Sequence, residues 1–138
     1  MKRLIFTVLA IVSASISVQA KYSGGAGTSG NPYKISTAAD LLALAANTSD
    51  YDANFVLTAD INLGGTAATA VIAPDMNSNN LYNYNFDGTP FTGVFDGAGH
   101  KIINLNIHAV ATENDYLGLF GVSSGEIKKS PYLEVFMR

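Results

Sequence analysis

The chain has 138 residues with no cysteine, and its 11 acidic and 8 basic side chains give a net charge of −3. That length suits one domain of ordinary size. The composition excludes a disulfide framework and a thiolate metal site. It also lacks the basic stripe that would neutralise a phosphate backbone, which argues against nucleic acid as a partner.

Met1-Lys2-Arg3 gives a positive start, and residues 4–18 form an apolar run diluted by Thr7, Ser13, Ser15 and Ser17. Val18-Gln19-Ala20 then fits a small-x-small cleavage site. The reading is an export signal over residues 1–20, cut after Ala20. A membrane anchor needs about 20 strongly apolar residues, more than this run offers, so no span is expected after cleavage. The remaining 118 residues keep every acidic side chain but only Lys21, Lys34, Lys101, Lys128, Lys129 and Arg138, a net charge of −5. Secretion or display at the cell surface is the expectation.

Residues 21–35 read as a Gly/Ser-rich lead-in that ends in a short strand at 33–35. A helix is predicted over 36–48. Ser36 and Thr37 are N-cap candidates, Asp40 places a carboxylate at the positive helix end, and Leu41, Leu42, Leu44 and Ala45 form the apolar face. Residues 55–63 alternate as a strand with Phe55, Leu57, Ile61 and Leu63 on one face, ended by Gly64-Gly65. Strand character recurs at 70–73, 91–95, 101–107, 116–120 and near Ile127. An Asn-rich loop is predicted over 75–87.

A shift of 25 residues lays Phe91 on Tyr116, Gly93 on Gly118, Val94 on Leu119, Phe95 on Phe120 and Ile102 on Ile127. A constant interval of short strands and Gly turns predicts a parallel β-solenoid over 53–128, with like residues stacked. A β-sandwich also gives many short strands, but it has no reason to keep a constant offset.

The run from Phe91 through Phe95-Asp96-Gly97-Ala98-Gly99-His100 to Ile102-Ile103-Asn104-Leu105 resembles the coil F-x-G-x-F-D-G-x-G-H-x-I-x-N-L of bacterial surface proteins carrying GLUG repeats. Tyr116-Leu117-Gly118-Leu119-Phe120-Gly121 is similar to the Y-x-G-L-F-G core of that repeat. Tyr22-Ser23-Gly24-Gly25, Asn31-Pro32-Tyr33-Lys34-Ile35 and Leu57-Thr58-Ala59-Asp60-Ile61-Asn62-Leu63 fit the segments around the helix. The resemblance implies an all-β, pectin-lyase-like fold, a right-handed parallel β-helix with a short N-terminal capping α-helix. It also implies an exported adhesin or polysaccharide-binding protein. Similar repeats flank the catalytic domain of some immunoglobulin-A-cleaving metallopeptidases. The pattern departs after Ile127-Lys128, where Lys129, Ser130 and Pro131 replace the expected strand residues, and Pro131 cannot donate to a ladder. Residues 129–138 therefore read as an aberrant tail on the N-terminal fragment of a longer protein.

Chemistry-bearing residues are few. His100 and His108 are separate, and zinc needs three or four converging ligands. Asp96-Gly97 and Asp60-Ile61-Asn62 are expected to satisfy turn N–H groups. Asp75, Asn77 and Asn79 have the spacing of a calcium loop, yet Asn80 stands where Gly belongs and Phe86 where the closing Glu belongs. No other cofactor is expected. Tyr82, Asn83, Tyr84, Asn85 and Phe86 set aromatic rings beside amides, a combination suited to sugar, and the same rings suit packing against the fold. The function expected is a noncatalytic adhesion or polysaccharide-binding module at the cell surface. The alternatives are the N-terminal fragment of a polysaccharide-degrading enzyme and a structural stalk. An uncapped last coil predicts low stability and self-association.

Overall fold

Thr37 starts the helix because its side chain and that of Asp40 satisfy each other's backbone. Asp40 N–H donates to the Thr37 hydroxyl at 3.1 Å, and Thr37 N–H donates to the Asp40 carboxylate at 3.1 Å, a reciprocal capping box. In the computed structural model, which describes residues 20–67, 69–76, 86–108, 116–128 and 135–137, helix α1 runs Ala38–Ala46. It turns Leu41 and Leu44 into the core with no exposed surface. Asn47 closes it by donating to Leu44 O at 3.0 Å, and a 3-10 turn over Thr48–Asp50 follows.

The strands are short: β1 (Tyr33–Ile35), β2 (Asn54–Leu57), β3 (Ile61–Ala67), β4 (Val94–Asp96), β5 (Ile102–Ile107), β6 (Glu126–Lys128) and β7 (Val135–Met137). They form two parallel sheets, a first in the order β1-β2-β4-β6 and a second in the order β3-β5-β7. Strands β2 and β4 of the first sheet each turn a short corner into the next strand of the second. The inward row of the first sheet is Tyr33, Phe55, Phe95 and Ile127 in register. Phe55, Phe91 and Phe95 are at most 1% exposed, and each such buried side chain contributes about 2–3 kcal/mol. Gly93 and Gly125 enter β4 and β6 over the Ala53 and Gly93 carbonyls, where a Cβ would collide with those oxygens.

The class is therefore mixed α/β with parallel sheets, and this overturns the all-β right-handed parallel β-helix expected from the sequence. Helix α1 belongs to the main core, since Leu41 and Leu44 share one cluster with Phe55, Phe95 and Ile102. The steady 25-residue winding is absent. Phe95 pairs with Ile127 and Ile102 with Val135, so neither Phe120 nor Ile127 takes its expected partner. Partners in the first sheet lie 22, 40 and 32 residues apart in turn: Tyr33 with Phe55, Phe55 with Phe95, Phe95 with Ile127. The 25-residue match reflects similar local composition, whereas connections of unequal length set the register.

The other members of the supposed repeat have separate places. Phe91 bridges Ser123, and Gly125 lies over Gly93 where the shift required Gly118. Phe120 bridges Ile72 and meets Phe91 and Phe95 across the core, with ring centroids 5.2 and 5.4 Å apart. Leu119 is 8% exposed and its carbonyl accepts from Ile72 N at 2.8 Å. Gly121 N–H donates to Ile72 O at 2.9 Å. Tyr116 and Gly118 hold positive φ of 58° and 156°. The stretches 70–73 and 116–120 thus meet through bridge contacts and not as full strands.

Two further expectations change. The single strand predicted over 55–63 breaks at 58–60 into β2 and β3, and β3 continues through Gly64-Gly65 with a register shift between Asn62 and Gly65. Glycine in a strand interior is where such a bulge forms. Residues 135–137, assigned to an aberrant tail, form β7 and pair in parallel with β5.

Candidate functional site

The corners between the sheets gather most of the polar chemistry. The Asp60 carboxylate accepts Lys101 N–H at 3.0 Å and stands 3.3 Å from His100 Nδ1. The hydrogen bond from Lys101 is the main reason its acidity is strengthened, with His100 and Lys101 adding positive charge. Asp96 repeats the motif locally, accepting Ala98 N–H at 2.8 Å. Gly97 N–H donates to Lys128 O at 3.1 Å and His100 N–H to Gly97 O at 2.8 Å. Asn104, at φ 57°, donates its amide to the Asn62 side chain at 2.9 Å. Ile102 and Leu105 then point inward from β5, at most 2% exposed. These carboxylates serve the backbone of the turns. His108 lies at the other end of β5 and donates its N–H to Ala67 O at 2.8 Å.

The calcium-type loop is represented by Asp75, while Asn77 and Asn79 lie outside the described residues. The Asp75 carboxylate accepts Asp87 N–H at 3.0 Å. Among the described residues no group of three or more His, Asp or Glu side chains is placed to hold a metal ion. Of the aromatic–amide cluster, Tyr82, Asn83, Tyr84 and Asn85 lie outside the described residues. Phe86 is half-buried and meets Tyr116 edge-on, with ring centroids 5.5 Å apart.

A shallow groove lies elsewhere on the surface. On the outward face of the first sheet, Asn54, Val56, Val94, Asp96 and Lys128 form the floor and one wall of a shallow groove, with Ser29 and Pro32 as the other wall. Its volume is about 100 Å³. The floor follows from strand alternation: Phe55 and Phe95 point inward, so their neighbours Val56, Val94 and Asp96 face out. Asn54 also donates its amide to Gly27 O at 3.1 Å, which fixes the lead-in beside the groove. No motif marks these residues, and only the parallel register brings Val56, Asp96 and Lys128 into one row.

A polar knot ties down the start of the lead-in. Asp50, 9% exposed, accepts from Tyr22 Oη at 2.6 Å and Asn47 Nδ2 at 3.0 Å, and pairs with Lys21 Nζ at 2.5 Å. Burial, then the Asp50 contact, pushes the Tyr22 phenol well above its ordinary range. Tyr22 and Asp50 lie 28 residues apart, and the constellation carries no spacing signature.

Among the described residues no helix is long and apolar enough to cross a membrane. No family model matches the chain, so the resemblance to GLUG-repeat proteins rests on the residues quoted for it alone. No solved structure matches it. Over 109 residues, 76% of its length, the chain is 36% identical to part of Halomucin from Haloquadratum walsbyi, and the matched stretch makes up 1% of that protein.

Proposed function

We propose that the chain is a noncatalytic extracellular or cell-surface module that binds polysaccharide through the outward face of its first sheet. The observation that carries this reading is the similarity to Halomucin, whose name classes it as a mucin, a surface-type protein. The export signal read in residues 1–20 agrees with that location. The noncatalytic part is supported by three carboxylates singled out in the sequence: Asp60, Asp75 and Asp96 each accept a backbone N–H of a turn or loop.

The groove suits an extended hydroxyl-rich chain better than a compact metabolite. It is open and shallow, with an apolar floor at Val56 and Val94 and polar groups at Asn54, Asp96 and Lys128. Small-molecule pockets are deeper, about 300–1,000 Å³. The groove crosses β2, β4 and β6, and a strand spacing of about 4.8 Å gives an extended chain an open track across them.

The test is retention of the exported protein on immobilised neutral and acidic polysaccharides, beside a Val56→Arg variant that fills the groove floor. Retention of the parent protein, lost in a variant that melts normally, is the expected outcome. Equal retention of both proteins, or of neither, overturns the groove as a glycan site. Recovery of the protein from the cytoplasm alone overturns the surface role.

A further inference from the structure

Strand β6 carries a self-complementary edge, and we propose that two copies of the chain pair there about a two-fold axis through Ile127. The argument begins with the backbone. Glu126 donates its N–H to Gly93 O at 2.9 Å, and Lys128 O accepts from Gly97 N at 3.1 Å, so both residues turn their backbone groups towards β4. The alternation of a strand then turns the N–H and C=O of Ile127 outward. Strand β6 ends its sheet, and among the described residues no other strand pairs with this outer edge. An edge of this kind is a template for another strand.

Side chains decide what fits. Ile127 lies in the inward row behind Phe95 yet remains 39% exposed, and among the described residues no further strand covers it. Glu126 and Lys128 flank it on the outward face, with side chains 64% and 47% exposed and only 3.8 Å between their charged groups. Read backwards, the same three residues present the opposite charges in the same positions. An antiparallel copy centred on Ile127 therefore sets each Glu126 opposite the other copy's Lys128, with the two Ile127 side chains together on the core face. The two outward-pointing Ile127 backbones exchange both N–H···O bonds, the hydrogen-bonded pair of an antiparallel ladder. A parallel or one-residue-shifted pairing loses this charge match and the reciprocal bonds. The contact is isologous and closes at two copies.

Sedimentation of the exported protein across micromolar to millimolar concentration tests the proposal. A reversible monomer–dimer equilibrium is expected. Glu126→Lys alone and Lys128→Glu alone each set like charges opposite one another in their own homodimers, weakening them about tenfold, while an equimolar mixture of the two recovers the parental affinity. The exchange Glu126→Lys with Lys128→Glu in one chain also recovers it. Both positions are exposed, so normal melting of each variant is expected and confirms that folding is not at issue. A protein that stays monomeric throughout overturns the proposal. So does a dimer indifferent to the single reversals, or a mixture that dimerises no better than its components.

Discussion

The two edges of the first sheet obey the same ladder geometry and end in opposite ways. At β1 the chain covers its own edge: Ser23 N–H donates to Lys34 O at 3.0 Å, and Lys34 N–H donates to Gly24 O at 2.8 Å. Tyr22, Tyr33 and Phe55 then stack edge-on or tilted with centroids 5.0–5.7 Å apart. At β6 all three residues are exposed. The difference teaches that strand pairing alone does not finish a sheet. The covered edge is finished by aromatic burial and a buried carboxylate: Tyr22 and Lys21, which precede the first strand, reach Phe55 and Asp50, which follow it.

The largest expected contrast between the edges comes from truncating the inward row. Phe55→Ala removes a ring that is 1% exposed and touches Tyr22, Tyr33 and Phe91. It should cost about 3–5 kcal/mol in urea unfolding. Ile127→Ala, in the same row at the open edge, should cost under about 1 kcal/mol. Equal losses would remove the distinction between the edges. Next, Asp50→Ala strips the acceptor shared by Tyr22, Asn47 and Lys21. A loss of about 2 kcal/mol is expected, together with faster proteolysis within residues 21–32. Unchanged cleavage there would mean that the knot is not what fastens the lead-in.

Thr37→Ala removes one half of the capping box and should cost about 1 kcal/mol, seen as reduced helical ellipticity on mild heating. The smallest effect is a pH dependence at the covered edge. Burial, the largest single influence on Asp40, raises its pKa, but hydrogen bonds from Ser23, Ser36 and Thr37 together outweigh it and hold the carboxyl below its ordinary value. The stability this gives is fully present above the unfolded value of about 3.9 and is lost as pH falls through the folded value. Tyr22 has the opposite sign: its raised phenol contributes fully below about pH 10 and loses that contribution as pH rises further. Acid and alkaline unfolding of the Asp40→Asn and Tyr22→Phe variants, compared with the parent, isolates each limb. A variant that keeps the parental profile would separate that group from the edge.

What was legible in the sequence was local. Thr37 and Asp40 sit three residues apart, so the cap of α1 is visible as a spacing, and the inward Phe55, Leu57 and Ile61 are visible as alternation. Register was not legible. It depends on how far the chain travels between strands, and the connection between β3 and β4, residues 68–93, is longer than that between β1 and β2, residues 36–53. Resemblance between Phe91-to-Phe95 and Tyr116-to-Phe120 invited a constant interval, whereas Phe95 and Phe120 meet across the core without sharing a sheet. The groove was hidden for the same reason, since Val56, Asp96 and Lys128 become neighbours only once that register is known. The contact of Asp60 with His100 joins residues 40 apart, beyond any spacing rule.

One hydroxyl bears on how the whole molecule comes apart. Tyr51 Oη donates to Ala45 O at 2.8 Å and accepts Ala73 N–H at 3.0 Å, so a single oxygen fastens the last turn of α1 to a stretch that lies 22 residues beyond Tyr51. Its own carbonyl receives Thr92 and Gly93 N–H at 2.9 and 2.7 Å. Three distant stretches of chain are thus pinned to one residue. Loss of this one side chain would therefore leave the Ala45 carbonyl and the Ala73 N–H without their partner at the same time.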